Sequence, residues 1–440
     1  MLLHRFSMGT IATLIIAAFV TSSCAAPRPV VRDTVPAARA WIATDPAAVL
    51  ADFAPLPSAP AVPPTPDGKT LALWHNPPTR WMSMERTLVA REWVSPTRAA
   101  RCYALLAAGI NDALLVADAA RATGVAVSDD AVIASVSARV ISYNHPLLAE
   151  VAQQEAATAR WMGVWASTTT PEAVEAGEQI GQLVAQQIIT WAQQDGAETF
   201  VTFTDPAPAP GVWQRTPPRL WSALDPGWGN VRPIGLDSVS SLIAVPPPAW
   251  DSAAFAQDRA VFATTQQAIT DTDRATVKKW AAGMGSMTPA GMWLEIADTL
   301  VEKNNLSTHH SAALYATLAV AMHDAFIACW SSKFQYLVER PITWMHETDG
   351  TWKSVIDTPP FPSYPSGHAT VSGTASTVLS AYFPDDTAQL SAWADEAAHS
   401  RVVGGIHWPL DSTAGLAQGQ RIGTWIVTNA APTTTLAMTP

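Results

Sequence analysis

The stretch HHSAALYATLAVAMHDAFIACW, residues 309–330, limits the fold more than any other segment. Its apolar residues fall on every face of a helix, so such a helix must be enclosed on all sides. His323 and Asp324 lie in its interior, where a carboxylate is costly in hydrocarbon. It therefore reads as the buried helix of a water-soluble protein rather than a membrane span. Helical spacing continues on both sides. CYALLAAGINDALLVADAARATG and EAVEAGEQIGQLVAQQIITWAQQDG repeat apolar residues at three and four, and the second closes at Gly196 as a C-cap would. DSAAFAQDRAVFATTQQ, TDRATVKKWAAG and PAGMWLEIADTLVEKNN follow the same rule. The expected fold is all-α, with two helical bundles side by side: residues 84–250 mostly structural, and residues 251–430 carrying the chemistry.

The flanks have a different character. Residues 1–26 read as an export signal: Arg5 precedes the short apolar run GTIATLIIAAFV, and TSSCAAP offers small residues for cleavage. Cys24 is either a lipidated first residue of the mature chain or part of a region cleaved near Ala26. The protein is expected to be periplasmic or secreted. Residues 27–83 are rich in Pro and Ala without a sustained period and read as a tether or loosely packed arm. Between 205 and 250, prolines exclude helix and tryptophans argue against a free linker, so an ordered loop clamped over the body is expected. A net charge of -11 with 26 Lys and Arg excludes nucleic acid as a partner and makes any gathering of basic residues conspicuous. Cys102 and Cys329 either pair or serve as small buried hydrophobes.

Such a gathering exists in three stretches. WSSKFQYLVERPITW sets Lys333 and Arg340 seven apart, with Pro341 directly after. In PSYPSGHATVSG, Pro365 is suited to the first turn of a helix, and Ser366 and Gly367 offer a hydroxyl and an unobstructed N–H at its positive end, where oxyanions bind. His368 comes next. In SRVVGGIHWPLDSTAG, Arg401 supplies a guanidinium fork that matches two oxygens of a phosphate-like anion, and Gly404 and Gly405 let backbone approach. Asp411 lies four residues beyond His407, one helical turn if Pro409 opens a helix, and is placed to hold one imidazole nitrogen protonated while the other faces the anion. Together these residues make an anion pocket equipped with a nucleophile and an acid. His309, His310 and His323 do not have the spacing of a metal triad, and no Gly-rich nucleotide loop is present.

The pattern of Lys and Arg-Pro separated by six residues, the PSGH run, and SR followed by His and Asp resembles the signature of the type 2 phosphatidic acid phosphatase and vanadium-dependent haloperoxidase superfamily. The resemblance is greatest to its bacterial soluble haloperoxidase branch and runs from about residue 85 to 425. It implies that Lys333, Arg340, Ser366, Gly367 and Arg401 hold the oxyanion, that His407 is the apical ligand of vanadate or the phosphorus nucleophile, and that His368 is the acid-base. Trp330 and Phe361 match positions bordering a halide site, although either is equally a core wall. The chain departs from the family where an acidic residue often occupies the place of Ala281 or Ala282.

Two chemistries share such a pocket, because vanadate adopts the five-coordinate geometry that a phosphoryl group only visits in its transition state. The resemblance favours a vanadium-dependent haloperoxidase acting on peroxide and halide, with vanadate as cofactor. The alternative is a phosphomonoesterase needing no cofactor and acting on phosphate esters through a phosphohistidine at His407.

Overall fold

The computed structural model describes residues 38–54 and 60–429. Residues 1–37, which include Cys24 and the stretch expected to be an export signal, and residues 55–59 of the arm lie outside the described residues. Two short helices, α1 (Pro46–Ala51) and α2 (Gly68–Ala72), lead into α3 (Pro77–Arg91), α4 (Pro96–Ala122), α5 (Asp129–Asn144), α6 (Ala149–Ala159), α7 (Met162–Trp165) and α8 (Pro171–Ala192). Past the Trp/Pro-rich stretch come α9 (Ala253–Gln267), α10 (Asp271–Lys279), α11 (Thr288–Lys303) and α12 (Thr308–Tyr336). The chain closes with α13 (Pro341–Thr348), α14 (Gly367–Tyr382), α15 (Thr387–Val403) and α16 (Pro409–Asn429). The architecture is all-α, and the one β-type pairing among the described residues is an isolated bridge between Val212 and Val338.

Why these segments are helical is visible at their ends. Ser128, Ser307 and Ser366 cap α5, α12 and α14 through side-chain acceptance of a first-turn N–H, and Thr270 and Asp273 form a reciprocal capping box on α10. Helix α8 ends at Ala192, four residues before the expected cap, and Gly196 instead takes a left-handed φ of 86° in the turn beyond. Pro365 stands outside α14, whose first residue is Gly367. α4 and α12 are each long and apolar enough to cross a membrane, but protein encloses the apolar window of α12 completely and most of that of α4.

The molecule contains one helical unit twice. A constant offset of 212 residues carries α3 and α4 onto α11 and α12. It takes Trp81 to Trp293, Thr87-Leu88-Val89 to Thr299-Leu300-Val301, Ser95 to Ser307, Tyr103 to Tyr315 and Asp112-Ala113 to Asp324-Ala325. A second, longer offset carries α5 and α8 onto α14 and α16, taking Ser128 to Ser366, Pro146 to Pro384, Pro171 to Pro409, Gly177 to Gly415 and Gly181 to Gly419. Contacts repeat with the sequence. A Cβ on Gly177 would stand 2.6 Å from the Ser128 carbonyl, and one on Gly415 would stand 2.7 Å from the Ser366 carbonyl, so both helix pairs need a bare backbone at the same crossing.

The repeated aspartates play the same part. Asp112 accepts the N–H groups of Trp41, Ile42 and Ala43 at 2.8–2.9 Å, and Asp324 accepts those of Ile234, Gly235 and Leu236 over the same range. Each buried carboxylate thus pins an extended strap, and three charge-assisted bonds offset its desolvation. This corrects the reading of the arm as a loose tether: Trp41, Ala43 and Val49 are buried in the main core. That core is continuous, drawing Trp81, Tyr103 and Val184 from the first unit and Trp293, Met322 and Ile422 from the second. Arg86 and Asp298, which occupy equivalent positions, form an ion pair with each other. Equivalent residues touch only near a twofold axis.

The longer offset arises from an insertion. The link from α4 to α5 is short, whereas residues 337–366 join α12 to α14 and include α13. The 205–250 stretch is ordered and lies along this insertion: Trp213 N–H donates to Leu337 O at 2.7 Å, Glu339 N–H to Gly211 O at 2.9 Å, and Tyr364 Oη to Val245 O at 2.7 Å.

Candidate active site

The insertion, the start of α14 and the link between α15 and α16 converge on one pocket. Leu337, in the left-handed region at φ 49°, ends α12 and turns the chain toward Arg340. Trp408 fixes the opposite side. It is fully buried among Phe255, Phe262, Trp250 and Trp344, and its Nε1 donates to Glu339 O at 2.8 Å. His407 and Arg340 are therefore held as next neighbours of a rigid aromatic anchor.

His407 is buried, and its Nδ1 lies 2.9 Å from Asp411 Oδ2. The same oxygen accepts the Trp408 N–H at 2.9 Å and the Ser363 hydroxyl. With Nδ1–H donating to a carboxylate, Nε2 carries the free lone pair. Arg340 Nη1 reaches that Nε2 at 3.1 Å and donates to Ile406 O at 2.6 Å, while its Nε donates to Phe361 O at 2.8 Å. Arg401 Nη1 donates to Trp280 O at 2.9 Å. A backbone carbonyl thus supports this guanidinium, and the carbonyls of Trp280 and Ala281 also face the ring of His368.

Several polar atoms at this point are buried and unpartnered: Arg340 Nη2, Arg401 Nε, His368 Nε2 and Asp411 Oδ1. Two of the four, Arg340 Nη2 and Arg401 Nε, are guanidinium N–H donors. Buried N–H groups left open are costly, and an oxyanion satisfies them. Burial lowers the pKa of both guanidinium groups to about 9 and holds both His368 and His407 well below the ordinary imidazole value, with Arg401 adding to the shift on His368 and Arg340, Lys333 and Arg401 adding to that on His407. Both histidines are therefore neutral at pH 7. Burial pushes Asp411 up, and the donors from Ser363 and Trp408 with the charge of Lys333 oppose it.

Lys333 behaves differently from expectation. Its Nζ donates to the carbonyls of Pro362, Ser363 and Pro365 at 2.9, 2.9 and 2.6 Å, so all three protons go to the loop that carries Ser366. Burial lowers its pKa, but three carbonyl acceptors call for three N–H donors and hold the ammonium form. Lys333 contributes its charge from beneath the pocket and fixes the loop. The Ser366 hydroxyl caps α14 at Ala369 N–H, and its own N–H donates to Asp411 O at 2.9 Å. Gly367 faces the cavity, where a Cβ would come within 3.4 Å of the Trp330 ring.

The cavity, about 230 Å³, is lined by Phe326, Trp330, Phe361 and Gly367 together with His368, Arg401 and His407. Trp330 and Phe361 pack with centroids 4.9 Å apart and their planes tilted by 51°, and the Lys333 ammonium and Arg340 guanidinium stand 5.1 and 4.9 Å from the Phe361 ring. Every residue singled out from sequence for the site lies in or directly behind this pocket. Ser363, which bridges Asp411 and the loop, was not singled out; its signal was its place two residues before Pro365 in the PSYPSGH run. Cys102 and Cys329 are both buried and free, and Cys329 Sγ approaches Pro365 O at 3.8 Å.

Residues 313–391 and 387–434 match the VCPO second helical-bundle domain. Over that stretch, which carries the pocket, the chain is similar to the vanadium haloperoxidases. The chain superposes on the crystal structure of the first bacterial vanadium-dependent iodoperoxidase with a TM-score of 0.71 at 25% identity, over 84% of this chain and 98% of that one. It shares its fold with holo-type and apo-type bacterial vanadium-dependent chloroperoxidases at TM-scores of 0.60 and 0.60 and identities of 15% and 14%, covering 77% of this chain in each case and 93% and 96% of theirs. No curated protein matches it by sequence.

Proposed function

We propose that the protein is a vanadium-dependent haloperoxidase that oxidises halide with hydrogen peroxide at a vanadate held by His407. The observation that carries this reading is the charge balance of the pocket. Lys333, Arg340 and Arg401 face a single carboxylate, Asp411, all four being buried, which leaves a surplus of two positive charges around the His407 imidazole. A buried surplus of that kind needs an anion of matching charge. The open donors on Arg340 and Arg401 and the lone pair on His407 Nε2 fit a tetrahedral oxyanion.

When bound, vanadate supplies Lewis-acid activation of peroxide toward halide. The chain's own residues do the rest. Asp411 holds the Nδ1 proton of His407 and so keeps Nε2 available as a ligand. Arg340 and Arg401 neutralise the oxyanion with fixed guanidinium groups that need no reorganisation. His368, neutral and with Nε2 free, would accept a proton from the entering peroxide and pass it to the departing hydroxide, which leaves as water. Trp330 and Phe361, with cations behind the Phe361 ring, offer an apolar and electropositive wall suited to a weakly hydrated halide. The export signal in residues 1–26 supports action outside the cytoplasm.

Phosphate-free protein, stripped of bound anions and assayed with and without orthovanadate, tests the reading. Peroxide-dependent bromination of monochlorodimedone that appears only with vanadate is the expected result. Hydrolysis of p-nitrophenyl phosphate inhibited by vanadate, with no bromination, would overturn it.

A further inference from the structure

A second constellation lies in the first unit. Glu85 projects from α3, Cys102 from α4, and α5 ends at Asn144 and His145. One ligand atom from each of Glu85, Cys102 and His145 lies within 4.8 Å of the others, and all three residues are buried. His145 Nδ1 stands 2.6 Å from Glu92 Oε2, and Nε2 stands 3.2 Å from Glu85 Oε1. The ring is held between the two carboxylates, Nδ1 toward Glu92 and Nε2 toward Glu85 and Cys102, so a metal would take the place of the proton at Nε2. A carboxylate behind the distal nitrogen is the arrangement that orients metal-binding histidines. Glu85 Oε2 is buried without a partner, so one carboxylate oxygen is unused.

The second unit acts as an internal control. Its residues equivalent to Glu85, Cys102 and His145 are Ala297, Leu314 and Phe383, all buried in the main core. The same corner of the same fold thus closes with hydrocarbon alone, and packing does not call for the polar set.

We propose that Glu85, Cys102 and His145 bind a divalent transition-metal ion of the zinc class, with Glu92 orienting His145. Thiolate, imidazole and carboxylate together form the donor set such ions favour. Ligand atoms around a tetrahedral zinc stand roughly 3.5 Å apart, so the set closes by about an ångström through side-chain rotation. Binding displaces the Cys102 proton and ties α3, α4 and α5 together. The site is structural and independent of His407.

Cobalt(II) added to the full-length, chelator-treated protein is the probe. One equivalent is expected to bind with a thiolate-to-cobalt charge-transfer absorption, to be displaced by zinc, and to raise the melting temperature. Cys102→Ser should lose that absorption and His407→Ala should keep it. The triple variant Glu85→Ala, Cys102→Leu, His145→Phe takes its side chains from the second unit, and should unfold cooperatively and bind no cobalt. Absence of the charge-transfer band in excess cobalt(II), or its survival in Cys102→Ser, would overturn the proposal.

Discussion

Ser128 and Ser366 cap equivalent helices, yet the residues next to them in the chain differ completely. Behind Ser128 stand Asp129 and Asp130; behind Ser366 stand Gly367 and His368. The positions equivalent to Arg401, His407 and Asp411 are Gly163, Thr169 and Ala173. In the first unit, a Cβ on Gly163 would meet Asp130 Oδ2 at 2.9 Å and Thr169 at 2.8 Å, so the corresponding space is closed by small polar groups. Burial and the neighbouring Asp129 raise Asp130 to about 6. One crossing of two helices over bare glycine has thus been used twice, once as plain scaffold and once beside a pocket lined by basic side chains and histidines. A duplicated frame fixes where backbone can approach backbone, but not the charge placed there.

The contrast is sharpest at His407. His407→Ala should lower vanadate-dependent bromination by about a thousandfold or more, with the fold intact by circular dichroism, whereas Thr169→Ala at the equivalent place should leave turnover unchanged. Equal dependence on both would break the contrast. The two strap-binding carboxylates test the opposite point, that the scaffolds are alike. Asp112→Ala and Asp324→Ala each leave three N–H groups without their acceptor, and each should cost about 3 kcal/mol in denaturant unfolding. A large inequality would show that the two straps are not equivalent.

Arg401→Gly imports the first unit's residue into the pocket. It should cost about a hundredfold in turnover and weaken vanadate binding, as read by fluorescence titration. The smallest effect is in pH. His368 and His407 have folded pKa values held well below 6.5 by burial, so their contribution to stability is present above pH 6.5 and is lost as pH falls below it. His145 has the opposite sign. Burial alone would lower it, but Glu85 and Glu92 raise it to about 9, so in metal-free protein its contribution is complete below 6.5 and is lost as pH rises through about 9. Melting temperatures should then fall less on acidification in His407→Ala than in the parent chain, and less on alkalinisation in His145→Phe.

Much of the site was legible because its groups sit in short runs with fixed spacing. His407 and Asp411 are four apart across Pro409, and Ser366, Gly367 and His368 open one helix, so local geometry alone brings them together. The strap role of residues 41–43 was not legible, since nothing in a Pro/Ala-rich arm reveals that its N–H groups meet a carboxylate 71 residues away. The duplication was present in plain order, but thirteen shared positions over α3 to mid-α4 are diluted by alanine, and the eye takes common helical residues for composition.

By itself the sequence determined the helices, the buried character of α12 and the identity of the residues that gather at the pocket. These arise from periodicity, capping and side-chain chemistry, which act over a few residues. Tertiary structure alone decided that Lys333 gives its protons to loop carbonyls, that the carbonyl of Trp280 supports Arg401, and that Glu85, Cys102 and His145 share a corner. Those outcomes depend on which backbone groups reach a side chain from distant parts of the chain, and that is fixed only once the two units have packed into one core.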